Sequence, residues 1–120
     1  RYIITHFEGI CKCDYKGLSK YKNVNSPRTN GFSTIIKYLP NDINYMTDIN
    51  IIYTLDNKQI THHTNKELLL KLIRDENILI YVDINYYRLP SQKNSKEWLN
   101  RLYSLKDRQI DCIIQKYCLI

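Results

Sequence analysis

The pattern that most restricts the fold lies in the last quarter of the chain. Its apolar residues recur at helical spacing, with a slip of one position near Lys106: Trp98, Leu102, Leu105, Ile110, Ile113, Ile114 and Tyr117. This spacing predicts an amphipathic helix, and the slip predicts a break or a bend. Asn94 followed three residues later by Glu97 is typical of a capping box, so we expect the helix to begin near Asn94.

The tail, residues 107–120, carries the second half of this stripe. Burying each of its large apolar side chains is worth about 1.5 to 3 kcal/mol, so the stripe should not stay in water. We expect the tail to fold back as a continuation of the helix, with self-association as the alternative. Cys112 and Cys118 fall on different faces of that helix and are expected to stay unpaired.

A single domain spanning residues 1–120 is expected, because a chain of this length has room for one core. Its hydrophobic fraction of 43% argues against intrinsic disorder. No window is long and apolar enough for a membrane span. The three glycines, Gly9, Gly17 and Gly31, have neither phosphate-loop nor dinucleotide-fingerprint spacing, which disfavours both classes of nucleotide enzyme.

The remaining segments favour β-structure. The patterns predict a strand over residues 2–14, a basic loop over 16–31, strands over 32–39 and 49–55, a hairpin at Asp56-Asn57 into 58–63, and strands over 78–82 and 84–89 separated by Asp83. Residues 66–77 fit a short helix or a strand. We therefore expect a mostly β fold, a small antiparallel barrel or sandwich closed by one C-terminal α-helix.

Positive charge is concentrated near the start of the chain. Of the net charge of +6, most falls in residues 11–40, where one acid, Asp14, opposes six bases. These bases are the candidate residues for binding an anionic lipid: Lys12, Lys16, Lys20, Lys22, Arg28 and Lys37. Such a cluster attracts phosphate-bearing partners, although a solvated loop without a partner has the same composition.

Two segments resemble the pleckstrin-homology (PH) family. Residues 78–105, ILIYVDINYYRLPSQKNSKEWLNRLYSL, are similar to its last strands and closing helix with a tryptophan, and FEGICK at 7–12 is similar to its opening strand. The resemblance implies a seven-stranded antiparallel barrel with a phosphoinositide site at its open end. Lys12 and Lys37 match two of the family's lipid-binding positions, but the arginine expected after Lys37 is absent.

The resemblance and the charge together predict a non-enzymatic, peripheral adaptor on the cytoplasmic side of a membrane. It would bind phosphatidic acid or a phosphoinositide weakly through the basic loop, assisted by an upstream acyl chain. The Asn, Ile, Lys and Tyr bias is similar to that of small acylated apicomplexan membrane-associated proteins of PH-like type. The alternative is a PH-like protein-interaction scaffold that has lost lipid binding; nucleic acid is disfavoured as a partner.

Metal, cofactor and catalytic roles are not expected. Cys11 and Cys13 are separated by one residue, where zinc sites usually have two to four, and His62 and His63 would point to opposite faces of a strand. We expect free thiols, and Trp98 in the core. The tyrosines among the lysines fit either a membrane interface or a strand that alternates in and out: Tyr15, Tyr21 and Tyr38.

Overall fold

The computed structural model describes residues 3–5, 20–56, 58–59, 66, 69–70, 73–74 and 77–117. Its elements are helix α1 (Thr29–Tyr38), strands β1 (Tyr45–Leu55), β2 (Lys58–Gln59) and β3 (Ile78–Arg88), a 3-10 turn (Gln92–Asn94) and helix α2 (Ser95–Lys116). The strands form an antiparallel sheet in the order β2-β1-β3. Antiparallel strands followed by a C-terminal helix are thus confirmed. However, the described strands form an open sheet, not a closed barrel, and the described fold is mixed instead of mostly β.

Strand β3 is one continuous element where the sequence predicted two. It pairs with β1 along its whole length, with Ile49 opposite Ile84 and Asn50 opposite Asp83. The interruption predicted at Asp83 is wrong because this carboxylate lies within the strand, where it accepts hydrogen bonds from two amide side chains.

The hairpin predicted at Asp56-Asn57 is confirmed. Leu55 pairs with Lys58 and Thr54 with Gln59, which leaves a two-residue connection between β1 and β2. Asp56 has a φ of 49°, in the left-handed region that such tight turns require and that aspartate tolerates better than most residues. The part of the hairpin predicted over residues 60–63 lies outside the described residues.

Helix α1 replaces the strand predicted over residues 32–39. Phe32 and Ile36 are four residues apart and lie on one helical face, where Phe32 is buried and its ring stacks on Trp98 with centroids 5.6 Å apart. The β-branched residues of this segment favour a strand locally, but burial of the Phe32 side chain outweighs that preference. The basic loop predicted over 16–31 therefore ends at Arg28, since Thr29 begins α1.

Helix α2 is continuous from Ser95 to Lys116, without the predicted break. The slip in the apolar stripe disappears once Lys106 is counted, because its side chain occupies the buried face between Tyr103 and Ile110. The predicted start is confirmed, but Asn94 makes no side-chain capping bond; Ser95 instead donates its hydroxyl to the carbonyl of Gln92 at 2.7 Å.

The described part of the tail, residues 107–117, extends α2 to Lys116. Ile110 and Ile114 belong to the core and Ile113 packs against it, whereas Tyr117 at the end of the stripe is 45% exposed. The buried apolar residues come from the segment before α1, from α1, from β1 and from α2: Val24, Phe32, Ile52, Leu99, Leu102, Tyr103, Ile110 and Ile114. Helix α2 therefore joins the sheet and α1 into one core.

Two other predicted elements are only partly described. Lys66, Leu69, Leu70 and Ile73 have helical backbone, and the Arg74 amide donates to the Leu70 carbonyl at 3.1 Å, so these described positions fit the helix and not the strand. The strand predicted over residues 2–14 lies outside the described residues except at 3–5, which have no regular secondary structure.

Substitutions on α1 test the helix that the sequence did not predict. We expect Phe32→Ala to lower the free energy of unfolding by about 3 to 5 kcal/mol, because it empties a fully packed position. Tyr38→Ala, on the same helix but 72% exposed, should change the free energy by less than about 0.5 kcal/mol. Urea unfolding measures both. Similar effects of the two substitutions would contradict this packing of α1.

Candidate functional site

The described bases do not meet in one pocket. Lys20 and Lys22 lie in the bends before α1, while Arg28 precedes its first residue and Lys37 lies in its last turn. At 1.5 Å rise per residue, Arg28 and Lys37 are about 14 Å apart along the helix. Lys12 and Lys16 lie outside the described residues. Within the described part of the chain, the candidate bases therefore do not form a single anion-binding site.

Lys22 is engaged by acids of α2. Its ammonium pairs with the Asp111 carboxylate at 3.1 Å, and the Asn23 side chain donates to the same carboxylate at 3.0 Å. These contacts, that of Asn23 first, hold the pKa of Asp111 below its ordinary value of 3.8. The Asp107 carboxylate accepts hydrogen bonds from the backbone N–H groups of Lys22, at 3.3 Å, and Asn23, at 2.6 Å. This end of the basic segment is thus fastened to α2.

The aromatic residues among the lysines have different surroundings. Tyr21 points inward, where its hydroxyl donates to the Asn100 carbonyl at 3.1 Å and its ring lies 6.5 Å from Tyr103. Tyr38 is exposed, with the Lys37 ammonium 5.2 Å from its ring. Tyr15 lies outside the described residues. Trp98 packs against the core, between Phe32 and Tyr87, as expected.

A buried ion pair joins α2 to the inner face of the sheet, which is the face that α2 covers. Lys106 donates to an Asp48 carboxylate oxygen at 2.7 Å, and both side chains are only 11% exposed. The same ammonium lies 3.4 Å from the Ile49 carbonyl. Charges removed from water in this way must be paired, so the contact fixes where α2 lies on the sheet.

Amide and carboxylate side chains continue the inner face beside this pair. Asn50 and Asn85 both donate to one oxygen of Asp83, at 3.1 and 2.8 Å. Thr54, also buried, donates to the Leu79 carbonyl at 3.0 Å. The inner face is consequently polar at its centre, where a sheet covered by a helix is usually apolar.

This polar region holds more acceptors than donors. Three buried oxygens have no hydrogen-bond partner: Asp48 Oδ2, Asn50 Oδ1 and Gln109 Oε1. Between β3 and α2 lies an open groove of about 390 Å³ with a mixed lining: Asp83, Asn85, Leu105, Arg108, Gln109, Cys112 and Ile113. An excess of acceptors suits water or a small group that donates hydrogen bonds.

The thiols and histidines nominated by the sequence are mostly outside the described residues: Cys11, Cys13, Cys118, His62 and His63. Cys112 is described and is an exposed, free thiol. Within the described ranges, no three histidine, cysteine or acidic side chains lie close enough together to hold a metal ion.

The outer face of the sheet, opposite the helices, is apolar and exposed. It consists of the odd-numbered residues of β1 and the even-numbered residues of β3, which are cross-strand partners. Leu55 and Ile78, at one end, are half-buried. Its other large apolar members are between 36% and 74% exposed: Tyr45, Ile49, Ile51, Tyr53, Ile80, Val82, Ile84 and Tyr86. The buried polar side chains of both strands thus lie on the inner face together with Ile52, whereas the outer face carries mainly exposed aliphatic and aromatic side chains.

The sequence analysis missed the inner polar residues, although the chain carries a signal for them. The tripeptide Asp-Ile-Asn occurs three times, at 42–44, 48–50 and 83–85, and the register places the last two copies opposite each other with each Asp facing an Asn. Because side chains alternate along a strand, this pattern places both Asp-Asn pairs on one face and Ile49 with Ile84 on the other.

No protein-family model matches this chain, and comparison with curated proteins and with solved structures finds no significant match.

Substitutions at the buried ion pair test the polar inner face. We expect Lys106→Met to cost about 3 to 5 kcal/mol in the free energy of unfolding, because it leaves the Asp48 carboxylate buried without its partner. Adding Asp48→Asn removes the unpaired charge and should recover more than about 1 kcal/mol. Lys96→Met, at an exposed lysine of the same helix, is the matched control. Strictly additive costs of Lys106→Met and Asp48→Asn would contradict the pairing.

Proposed function

We propose that this chain is a non-enzymatic protein-interaction module and that its partner binds the outer face of the sheet. The observation that carries the proposal is the exposure of that face along nearly the whole length of two paired strands. At roughly 150 to 200 Å² for a fully exposed large apolar residue, the exposed fractions correspond to an area on the order of 800 Å². Exposed apolar patches on monomers are usually smaller, which marks this one as an interaction surface.

The shape of the outer face favours a macromolecular partner. Paired β-branched side chains on neighbouring strands make a broad, gently twisted surface, and the described groove lies on the other side of the sheet. A small molecule would cover only a fraction of such a surface, whereas another protein surface can cover it fully. We assign no catalytic step to the described residues, because nothing places a base against the one described thiol, Cys112.

Photocrosslinking compares the outer face with a matched exposed position. Tyr86 and Tyr38 are 74% and 72% exposed, so the photoreactive residue p-benzoylphenylalanine can replace either with little effect on folding. In cells that express the full chain, we expect protein crosslinks at position 86 at least fivefold above those at position 38. Equal yields, or crosslinks at position 86 only within the same chain or to lipid, would refute the proposed interaction face.

A second candidate function is weak attachment to an anionic membrane surface, for which exposed bases give specific support. Lys20, Arg28 and Lys37 make no ion pair within the described residues, and Lys37 is followed by the exposed Tyr38, a residue suited to a lipid interface. Each base near an anionic leaflet contributes about 1 kcal/mol. Such attachment is salt-sensitive and needs a second anchor, such as an upstream acyl chain.

Two expectations from the sequence belong with this candidate. The PH-like barrel would require further strands from residues outside those described, and the cytoplasmic, peripheral location would follow from lipid binding. Among the described helices, none combines the length and apolarity needed to cross a bilayer.

Vesicle flotation tests this second candidate. With vesicles containing phosphatidic acid at low salt, the triple variant Lys20→Glu, Arg28→Glu, Lys37→Glu should bind at least tenfold less than the unaltered chain, since it loses three attractive charges. The matched control carries the same three reversals on the exposed face near the start of α2: Lys93→Glu, Lys96→Glu and Arg101→Glu. Equal loss in both triple variants, or no binding by the unaltered chain, would exclude a specific role for the nominated bases.

A further inference from the structure

We infer that the partner on the outer face is a second copy of this chain, packed face to face in a two-fold symmetric dimer. This inference rests on the proposed function, because it names the partner for the same surface. Three properties of that surface carry it: its area, its uncharged centre and the opposite charges at its two ends.

The area matches what a stable association requires. A standard protein interface buries about 800 Å² on each partner, and the exposed residues of the outer face supply an area of that order. Two sheets packed face to face lie about 10 Å apart and interdigitate the side chains of their facing strands. Two copies of this surface can therefore cover each other without help from another part of the molecule.

The uncharged centre of the face favours a second copy of the same face as the partner. The central cross-strand pairs, Ile49 with Ile84, Ile51 with Val82 and Tyr53 with Ile80, contain no charged side chain. Homodimer interfaces are more apolar than the interfaces between different proteins that associate reversibly. Two-fold homodimers are also the commonest oligomers, since the same patch serves both copies.

The ends of the outer face complement each other when two copies run antiparallel. Arg88 pairs with Tyr45 at one end of the sheet, and Asp56 follows β1 at the other end; both are exposed. A two-fold axis across the middle of the face brings each Arg88 beside Asp56 of the second copy. The aliphatic centre then packs on itself, with two ion pairs at the rim.

Light scattering coupled to size-exclusion chromatography tests the dimer on the full chain. We expect a mass twice that of the chain at tens of micromolar, decreasing toward a monomer on dilution. Arg88→Glu places like charges beside Asp56 and should raise the dimer dissociation constant at least tenfold. Lys96→Glu makes the same change in charge outside the face and should leave the constant unchanged.

A central substitution provides an independent variant. Ile51→Lys places a charge in the middle of the interface but at a half-exposed position of the monomer. It should abolish the dimer while retaining the circular dichroism spectrum and cooperative melting of a folded chain. If folded Ile51→Lys remains dimeric, the dimer forms elsewhere and the inference is refuted.

The outcomes separate this inference from the proposed function. A monomer at every concentration whose position 86 still crosslinks to another protein refutes the second copy and leaves the interaction face intact. A monomer that crosslinks there only within its own chain refutes both. A monomer that floats with neutral phosphatidylcholine vesicles, and no longer does so as Ile51→Lys, assigns the face to a lipid surface and likewise refutes the dimer.

Discussion

The ion pair between Lys106 and Asp48 decides which face of the sheet α2 covers. A buried ammonium requires a carboxylate, and Asp48 lies on the same face as Asn50 and, across the register, Asp83 and Asn85. Asn50 and Asn85 donate to Asp83 on this covered face, where Asp48 Oδ2 and Asn50 Oδ1 have no hydrogen-bond partner. The alternation of a β-strand then directs Ile49, Ile84 and their neighbours to the opposite side.

The proposed interaction function rests on this unusual distribution of polarity. In most half-covered sheets the apolar residues face the helix, and the polar residues face water. Here the covered face carries the hydrogen bonds, while the outer face would gain about 25 cal/mol for each Å² of apolar area removed from water. A gain of that kind favours association with another surface, and we propose that the surface, uncharged at its centre, packs against a copy of itself.

The sequence predicted what depends on local periodicity and missed what depends on partners. The start of α2 and the burial of Ile110 and Ile114 followed from the spacing of the apolar residues, and the hairpin followed from the turn-forming residues Asp56 and Asn57. Helix α1 was not predicted, because Ile35 and Ile36 favour a strand locally. The helix is stabilised by a contact distant in sequence, the stacking of Phe32 on Trp98. The slip at Lys106 resembled a break because a lysine was assumed to face water, whereas its charge is paired inside.

The candidate site could be predicted from the sequence even less than the fold. Periodicity tells which residues of β1 and β3 share a face, but not which face is covered, since Asp48 with Asn50 and Ile49 with Ile51 alternate equally well. The PH-like resemblance over residues 78–105 implied two strands and a closing helix, whereas the structure has one continuous strand before α2, an arrangement that many folds share. The six nominated bases had charge in common but no structural reason to converge, and the described ones remain apart.

The measurement that tests the account most directly is the solvent accessibility of the isoleucine methyl groups, read by NMR with a soluble paramagnetic agent. On the Arg88→Glu variant, the methyls of Ile49, Ile51 and Ile84 should relax strongly, and those of Ile52 and Ile110 should be protected. In the unaltered chain, raising the concentration should protect Ile49, Ile51 and Ile84 as well. Protection of these three methyls at every concentration, or strong relaxation of Ile52, would contradict an exposed apolar face opposite a covered polar one.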